Sequence, residues 1–435
     1  MWCGLLYFPK NSELCTLKTV IMLQIPHKLE LMAPAGSFES LMAGIKAGAD
    51  SVYFGIEQLN MRARSSNNFT IEDLKKIAAV CHEKGVKTYL TLNTIVYDHD
   101  LTLMKSIVDA ARENGIDAVI ASDHAVLNYA KKTGMTVHIS TQTNVTNIDT
   151  VEFYAAYADV IVLSRELSLK QVAAITREIE RRQVTGPSGN LVRVEIFGHG
   201  ALCMAVSGKC YMSLHSNFSS ANRGACIQNC RRSYVVTDKE QGVEFEVDNE
   251  YIMSAKDLCT INFLDKVYES DVRVLKVEGR GRSADYVYTV IKCYREAIDA
   301  LYSGTYSPDM FDDWMARLST VYNRGFWDGY YLGRTMGEWS NQYGSAATKK
   351  KIFIGRGLSY FDKAGVGEFM MEAQSLHVGD EIMVTGPTTG IVQGMVEELR
   401  VANVPQEKVK KGDRFSLPIA EKIRPSDKLY KLVDA

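Results

Sequence analysis

The chain of 435 residues reads as an α/β protein: a (β/α)8 TIM-type barrel with a Cys-rich insert, followed by a small all-β barrel domain. Three observations predict this. Eight short β-rich runs alternate with amphipathic stretches between residues 29 and 277, the pattern of strands that are each followed by a crossover helix. No G-x-G-x-x-G follows the first run, and the Pro-Ala-Gly at 34–36 is only a tight turn, which sets a doubly wound sheet behind the barrel. From residue 352 the pattern changes to short alternating strands separated by Gly turns.

The predicted barrel strands are 29–33, 51–55, 87–92, 118–121, 136–140, 160–163, 192–197 and 273–277. Helices are predicted between most of them, at 38–47, 71–84, 101–114 and 169–182. Thr70 and Ser168 supply N-cap chemistry, and Gly48, Gly85, Gly115 and Gly134 close helices. A polar insert, residues 198–251, interrupts the alternation before the eighth strand. The Asn-Arg-Gly-Phe-Trp-Asp-Gly-Tyr-Tyr run at 323–331 reads as a turn that clasps the barrel, with a base-stacking platform as the alternative. The domains are then a disordered leader (1–27), the barrel (28–340), a linker (341–351) and the β domain (352–435). By analogy alone, the β domain resembles the second-domain barrel of translation elongation factors.

A formal charge of −2 excludes a broadly basic nucleic-acid binder but leaves room for a local basic pocket. Nine cysteines without paired spacing fit a reducing cytoplasm. The leader has no basic segment or cleavage site of a signal peptide, and no run is long enough to span a membrane.

The insert gathers Cys203, Cys210, Cys226 and Cys230 in one Gly- and Ser-rich segment with C-x6-C and C-x3-C spacing. Such thiols suggest a metal or iron–sulfur site, against the ordinary alternatives of core thiols or disulfides. The gaps are wider than the C-x2-C pairs of structural zinc and suit a 4Fe–4S cluster better. Cys259, read as lying on an amphipathic helix, competes for the fourth ligand position, while Cys81 and Cys293 read as core. Protease motifs fail: His82-Glu83 is followed by Lys-Gly-Val, and Gly186-Pro-Ser-Gly breaks G-x-S-x-G. A cysteine nucleophile would need His199 or His215 beside it.

A barrel places functional groups where strands end. Arg62, Arg64, Asn93, Gln142, Arg165, Glu195, His199, Lys276, Glu278 and Arg280 fall there, joined by Arg223 and Arg231. This cationic rim predicts an anionic ligand bearing carboxylate or phosphate. We assign His199, Glu195 and Arg280 to catalysis and Arg62, Arg165 and Lys276 to the small ligand.

The segment at 30–55, the Glu-Ile-Phe-Gly-His-Gly-Ala-Leu-Cys block at 195–203, the cysteine pair at 226–230 and Met-Ser-Ala-Lys-Asp-Leu with Val-Leu-Lys-Val-Glu-Gly-Arg together resemble the collagenase-like peptidase family, the unassigned-type family "U thirty-two". The resemblance runs from about residue 29 to the C-terminus. Its long form with a β-barrel tail is similar to prephenate-dependent tRNA uridine hydroxylation proteins. That similarity implies a 4Fe–4S cluster on Cys203, Cys210 and Cys226, with Cys230 chosen over Cys259 as fourth ligand. It implies prephenate, a dicarboxylate, as oxygen donor and a flipped RNA base as substrate, most directly the tRNA wobble uridine. It also implies a cytoplasmic enzyme without membrane contact that could pair with a protein of its own family. The alternatives are ribosomal RNA hydroxylation, a collagenase-like peptidase and a non-enzymatic iron–sulfur scaffold for a partner enzyme.

Overall fold

The computed structural model describes residues 28–64, 67–242, 244–245 and 253–435; the leader and parts of the insert lie outside them. Eight parallel strands form the barrel: β1 (Glu30–Pro34), β2 (Ser51–Phe54), β3 (Lys87–Leu92), β4 (Ala118–Ala121), β5 (Val137–Ile139), β6 (Val160–Val162), β7 (Arg193–Ala201) and β8 (Val274–Val277). Closure is explicit in the register, because Glu30 of β1 pairs with Val274 of β8, which also pairs with Glu195 of β7.

Successive side chains alternate between the two faces of each strand. Leu31, Ala33, Val52, Phe54, Leu90, Leu92, Val119 and Ala121 face outward into the core beneath the helices. Met32, Tyr53, Tyr89, Ala118, Ile120, Val160 and Val274 form a separate interior cluster. The outer layer comprises α1 (Phe38–Lys46), α2 (Asp73–Glu83), α3 (Leu101–Glu113), α4 (His124–Thr133), α5 (Ile148–Ala155), α6 (Leu169–Arg182), α7 (Leu264–Glu269) and α8 (Ala284–Ser303). Helix α6 shows how sequence dictates them. Ser168 and Gln171 make a reciprocal capping box, and Leu169, Val172, Ile175 and Ile179 recur along one buried stripe. Gly134 ends α4 in the left-handed conformation at φ 75°. Thr70 is not the cap of α2: that helix starts at Asp73, whose carboxylate accepts from the Thr70 amide at 2.9 Å.

Strand β7 runs four residues past its predicted end at 197. Above the barrel it pairs antiparallel with Asp257–Cys259, and Phe326–Trp327 pairs with that strand in turn. Cys259 is therefore on a buried strand opposite His199, which corrects its reading as helical. The 323–331 run is a clasp: Trp327 and Tyr331 are buried, and the Tyr331 hydroxyl donates to the Phe197 carbonyl at 2.9 Å. A register shift between Lys276 and Val277 marks a bulge where β7 leaves the barrel. Gly200 passes there with φ +103° beside the Glu278 carbonyl, a conformation and clearance that a side chain would not allow.

The C-terminal region is antiparallel and all-β. Lys349–Phe361 lies between Val366–Met371 and Lys428–Asp434, so it begins inside the predicted linker. Its core includes Ile354, Phe369, Val384, Phe415 and Leu429. Met383 and Ile391 dock on Ala43 of α1 and Ala284 of α8, and Lys351 reaches Asp285 at 2.5 Å. No described helix is long and apolar enough to cross a membrane.

Candidate active site

The barrel mouth and the insert enclose a cavity of about 600 Å³. The barrel contributes the inward side chains of its upper layer: Tyr53, Thr91, Phe197 and Lys276. Three of these sit at the end of the period-2 alternation that fills the interior, which is why strand geometry aims them at the ligand space. The insert contributes Cys203, Cys210, Cys226, Cys230 and Arg231.

Glu278, just beyond the bulge, organises the cationic wall. Its carboxylate accepts from Arg62 at 3.0 Å and from the Tyr53 hydroxyl at 3.2 Å. Burial pushes this carboxyl up, but Arg62, Arg165 and Arg280 together hold it down at about 2. Arg280 is buried and donates to Thr91 Oγ1 at 2.8 Å and Asn60 Oδ1 at 2.9 Å. Burial pulls its own pKa down to about 10, against the charges of Tyr53 and Glu278. Arg165 lies 3.8 Å over the Phe197 ring and donates to the Ala201 carbonyl at 3.2 Å, while its buried Nε has no partner. Lys276 Nζ donates to Glu195 Oε1 at 2.9 Å and sits 4.4 Å from the centre of the Tyr53 ring. Nearby, Arg282 stacks at 3.4 Å on Tyr322.

Gly55 makes room for this wall. A Cβ there would overlap the Arg280 guanidinium and stand 2.8 Å from Asn60 Cγ. Gly55→Ala is expected to cost about 1–3 kcal/mol through overpacking. Gly394→Ala, with open space around it, should stay within about 0.5 kcal/mol of wild type. Urea denaturation of both variants checks this contrast; equal midpoints would mean that Arg280 is not fixed by the glycine.

The four insert cysteines are free; Cys203 is exposed and the other three are partly buried. The Cys230 thiol is pushed up by burial and by the charges of Cys203, Cys226 and Cys210, and pulled down by Arg231. Cys226 likewise acts on Arg62, which links the thiols to the cationic wall. Arg231 pins the segment by donating to the carbonyls of Leu202 and Ala255 at 2.5 and 2.6 Å. Among the described residues, no three His, Cys, Asp or Glu side chains are placed to hold a single metal ion. An all-thiol set around a cavity fits a polynuclear iron–sulfur cluster, in which each thiolate meets its own iron, better than it fits one zinc ion.

Of the residues assigned from sequence, the cavity brings together the four cysteines, Arg62, Arg165, Lys276 and Arg280. His199 and Glu195 are not in its wall. His199 is packed between Tyr286, Tyr294 and Phe326, and burial lowers its pKa to about 3. Glu195 lies one layer down in the barrel and reaches the cavity only through Lys276. Arg223 is tied outside, to Asp100 at 2.6 Å. Cys259 lies against Met315 and Tyr294 instead of the other thiols, and burial raises it to about 11. Cys81 and Cys293 are core residues. Sequence reasoning missed Asn60, Tyr53 and Thr91. Inward alternation marks the latter two, whereas Asn60 lies in a loop without periodicity.

A (β/α)8 barrel whose C-terminal mouth is roofed by a cysteine-bearing insert defines the class to which this fold and site belong. Residues 36–341 match the model of Peptidase family U32, and the chain belongs to that family. It is 58% identical over 402 residues to a protein named collagenase from Porphyromonas gingivalis strain W83, covering 92% of this chain and 97% of the relative. It is 30% identical over 371 residues to tRNA hydroxylation protein P1 of Bacillus subtilis, covering 83% of this chain and 85% of that protein. It is 34% identical over 278 residues to the 23S rRNA 5-hydroxycytidine C2501 synthase of Escherichia coli, covering 63% of this chain and 40% of the relative.

Proposed function

We propose that this protein is an RNA hydroxylase that converts the tRNA wobble uridine to 5-hydroxyuridine, with prephenate as oxygen donor and a 4Fe–4S cluster on Cys203, Cys210, Cys226 and Cys230. The observation that carries the reading is the meeting of four thiols and a guanidinium wall in one cavity of about 600 Å³, a volume suited to small ligands. The two relatives named for RNA hydroxylation support the reaction class.

The cluster, when bound, would supply one-electron chemistry. The chain's own side chains do the positioning. Arg62, Arg165 and Arg280 present donors to carboxylates, and Glu278 fixes the first of them while keeping the wall from repelling itself. Phe197 and Tyr53 give that wall an apolar base, which excludes water and strengthens each charged contact. Such an enzyme works in the cytoplasm on tRNA, alone or beside a protein of its own family.

Peptidase chemistry, suggested by the relative named collagenase, has weaker support. Cys259 and His199 lie on paired strands, yet both are buried, and the thiol is raised to about 11 where a nucleophile needs a lowered value. Mass spectrometry of RNA nucleosides from a deletion strain lacking paralogues tests the choice. The expected result is loss of 5-hydroxyuridine derivatives from tRNA, restored by the wild-type chain. Unchanged nucleosides in both tRNA and ribosomal RNA would overturn the reading.

A further inference from the structure

The interior of this barrel holds buried charged and polar side chains at one level. Glu195 is fully buried, Lys276 is 5% exposed, and their side chains meet at 2.9 Å. His138 lies behind them, with its Nδ1 3.9 Å from Glu195 Oε2, and neither of those two atoms has a hydrogen-bond partner. A buried ion pair contributes little to stability once desolvation is counted, so the place of Lys276 in the cavity wall, with Glu195 directly beneath it, calls for a use. Three features define that use. Lys276, the last but one residue of β8, lines the ligand space, and its nitrogen lies between the rings of Tyr53 at 4.4 Å and Phe197 at 5.6 Å. Its carboxylate partner has a second oxygen without a donor. Guanidiniums that can hold a carboxylate line the same cavity.

We propose that Lys276 captures the carbonyl of a 2-oxo carboxylate as an imine, with Glu195 as the proton acceptor and donor. An amine enclosed by rings and faced by a carboxylate has the setting in which lysine becomes a nucleophile. Glu195 takes a proton from the ammonium, the freed nitrogen forms a bond to the carbonyl carbon as the C=O π bond breaks, and one of the nitrogen's remaining protons passes to that oxygen. The resulting carbinolamine hydroxyl leaves as water with the proton that Glu195 returns. The net change joins one ammonium and one carbonyl into one iminium and one water, without oxidant or reductant. The acid's carboxylate is held by Arg165, whose buried Nε is unpartnered, and by Arg280. This deepens the proposed function by naming the group on the cosubstrate that the cavity engages, and it rests on the carboxylate part of that reading alone.

The test uses the full chain purified without oxygen, incubated with pyruvate or phenylpyruvate and sodium borohydride, and read by intact mass and peptide mapping. One reduced adduct per chain is expected, on the peptide that contains Lys276. It should be absent from Lys276→Arg, blocked by excess succinate, and formed about a hundredfold more slowly in Glu195→Gln. No adduct with either acid, or a label spread over surface lysines and unchanged in Lys276→Arg, would overturn the inference. The map of the wild-type protein locates the label even where a variant folds poorly. No adduct in a protein that still restores 5-hydroxyuridine to a deletion strain would sink the imine and leave RNA hydroxylation standing; an adduct together with unchanged RNA nucleosides would do the opposite.

Discussion

Glu278→Gln is expected to lower the stability of the folded protein by about 3–5 kcal/mol at neutral pH, the scale of breaking one partner out of a buried ionic group. The carboxylate touches Arg62 and Tyr53 and lies in the field of Arg165 and Arg280. An amide keeps the shape but leaves three guanidiniums facing one another in a place with little water. The pH dependence follows from the direction of the shift. The folded-state pKa is about 2, below the ordinary glutamate value of 4.5, so the stabilisation is fully present above the unfolded value. It is lost as pH falls from about 4.5 toward 2. Denaturant titrations at pH 7 and pH 3 should therefore show a wide gap between wild type and variant that narrows in acid. A variant within about 0.5 kcal/mol of wild type at pH 7 would mean that Glu278 does not organise the wall.

The second large effect concerns the thiols. Cys226→Ser is expected to remove nearly all bound iron from an anaerobic preparation and, with it, the ability to restore hydroxylated nucleosides to a deletion strain. Cys259→Ser should keep the iron, because that thiol lies against Met315 and Tyr294 and outside the cavity wall. Iron assay and the thiolate–iron absorbance band separate the two variants. If iron survives in Cys226→Ser, or disappears in Cys259→Ser while the fold is kept, the ligand set proposed for this protein is wrong.

The barrel was legible because its strands alternate apolar faces and its helices carry stripes and caps, as Leu169 to Ile179 illustrate. The cysteine cavity was legible because its four thiols come from one segment. What went unread lies at the exit of β7. The Gly-His-Gly-Ala at 198–201 has no β-forming residues, so the sequence pattern stops the strand at 197, whereas the partner that extends it comes from 257–259. The shorter strand places Glu195 at the mouth, whereas the register sets it level with Val274, one layer below Phe197 and Lys276. The bulge at the same point turns His199 away from the cavity and into the rings of α8. The strand that carries Cys259 has three residues, too few to show a strand's period in the sequence. Register and burial come from partners far away in the chain, which a local pattern cannot contain.

The docking of the tail on α1 and α8 has a bearing on how the whole chain holds together. Those two helices lie behind β1 and β8, the first and last staves of the cylinder. The tail thus works as a buckle across the seam where the two ends of the barrel meet, and Lys351 fastens it through Asp285 in the first turn of α8, five residues from Arg280. Cutting the chain before residue 349 would leave that seam wet beside Ala43 and Ala284, so the two domains do not behave as independent beads on a string.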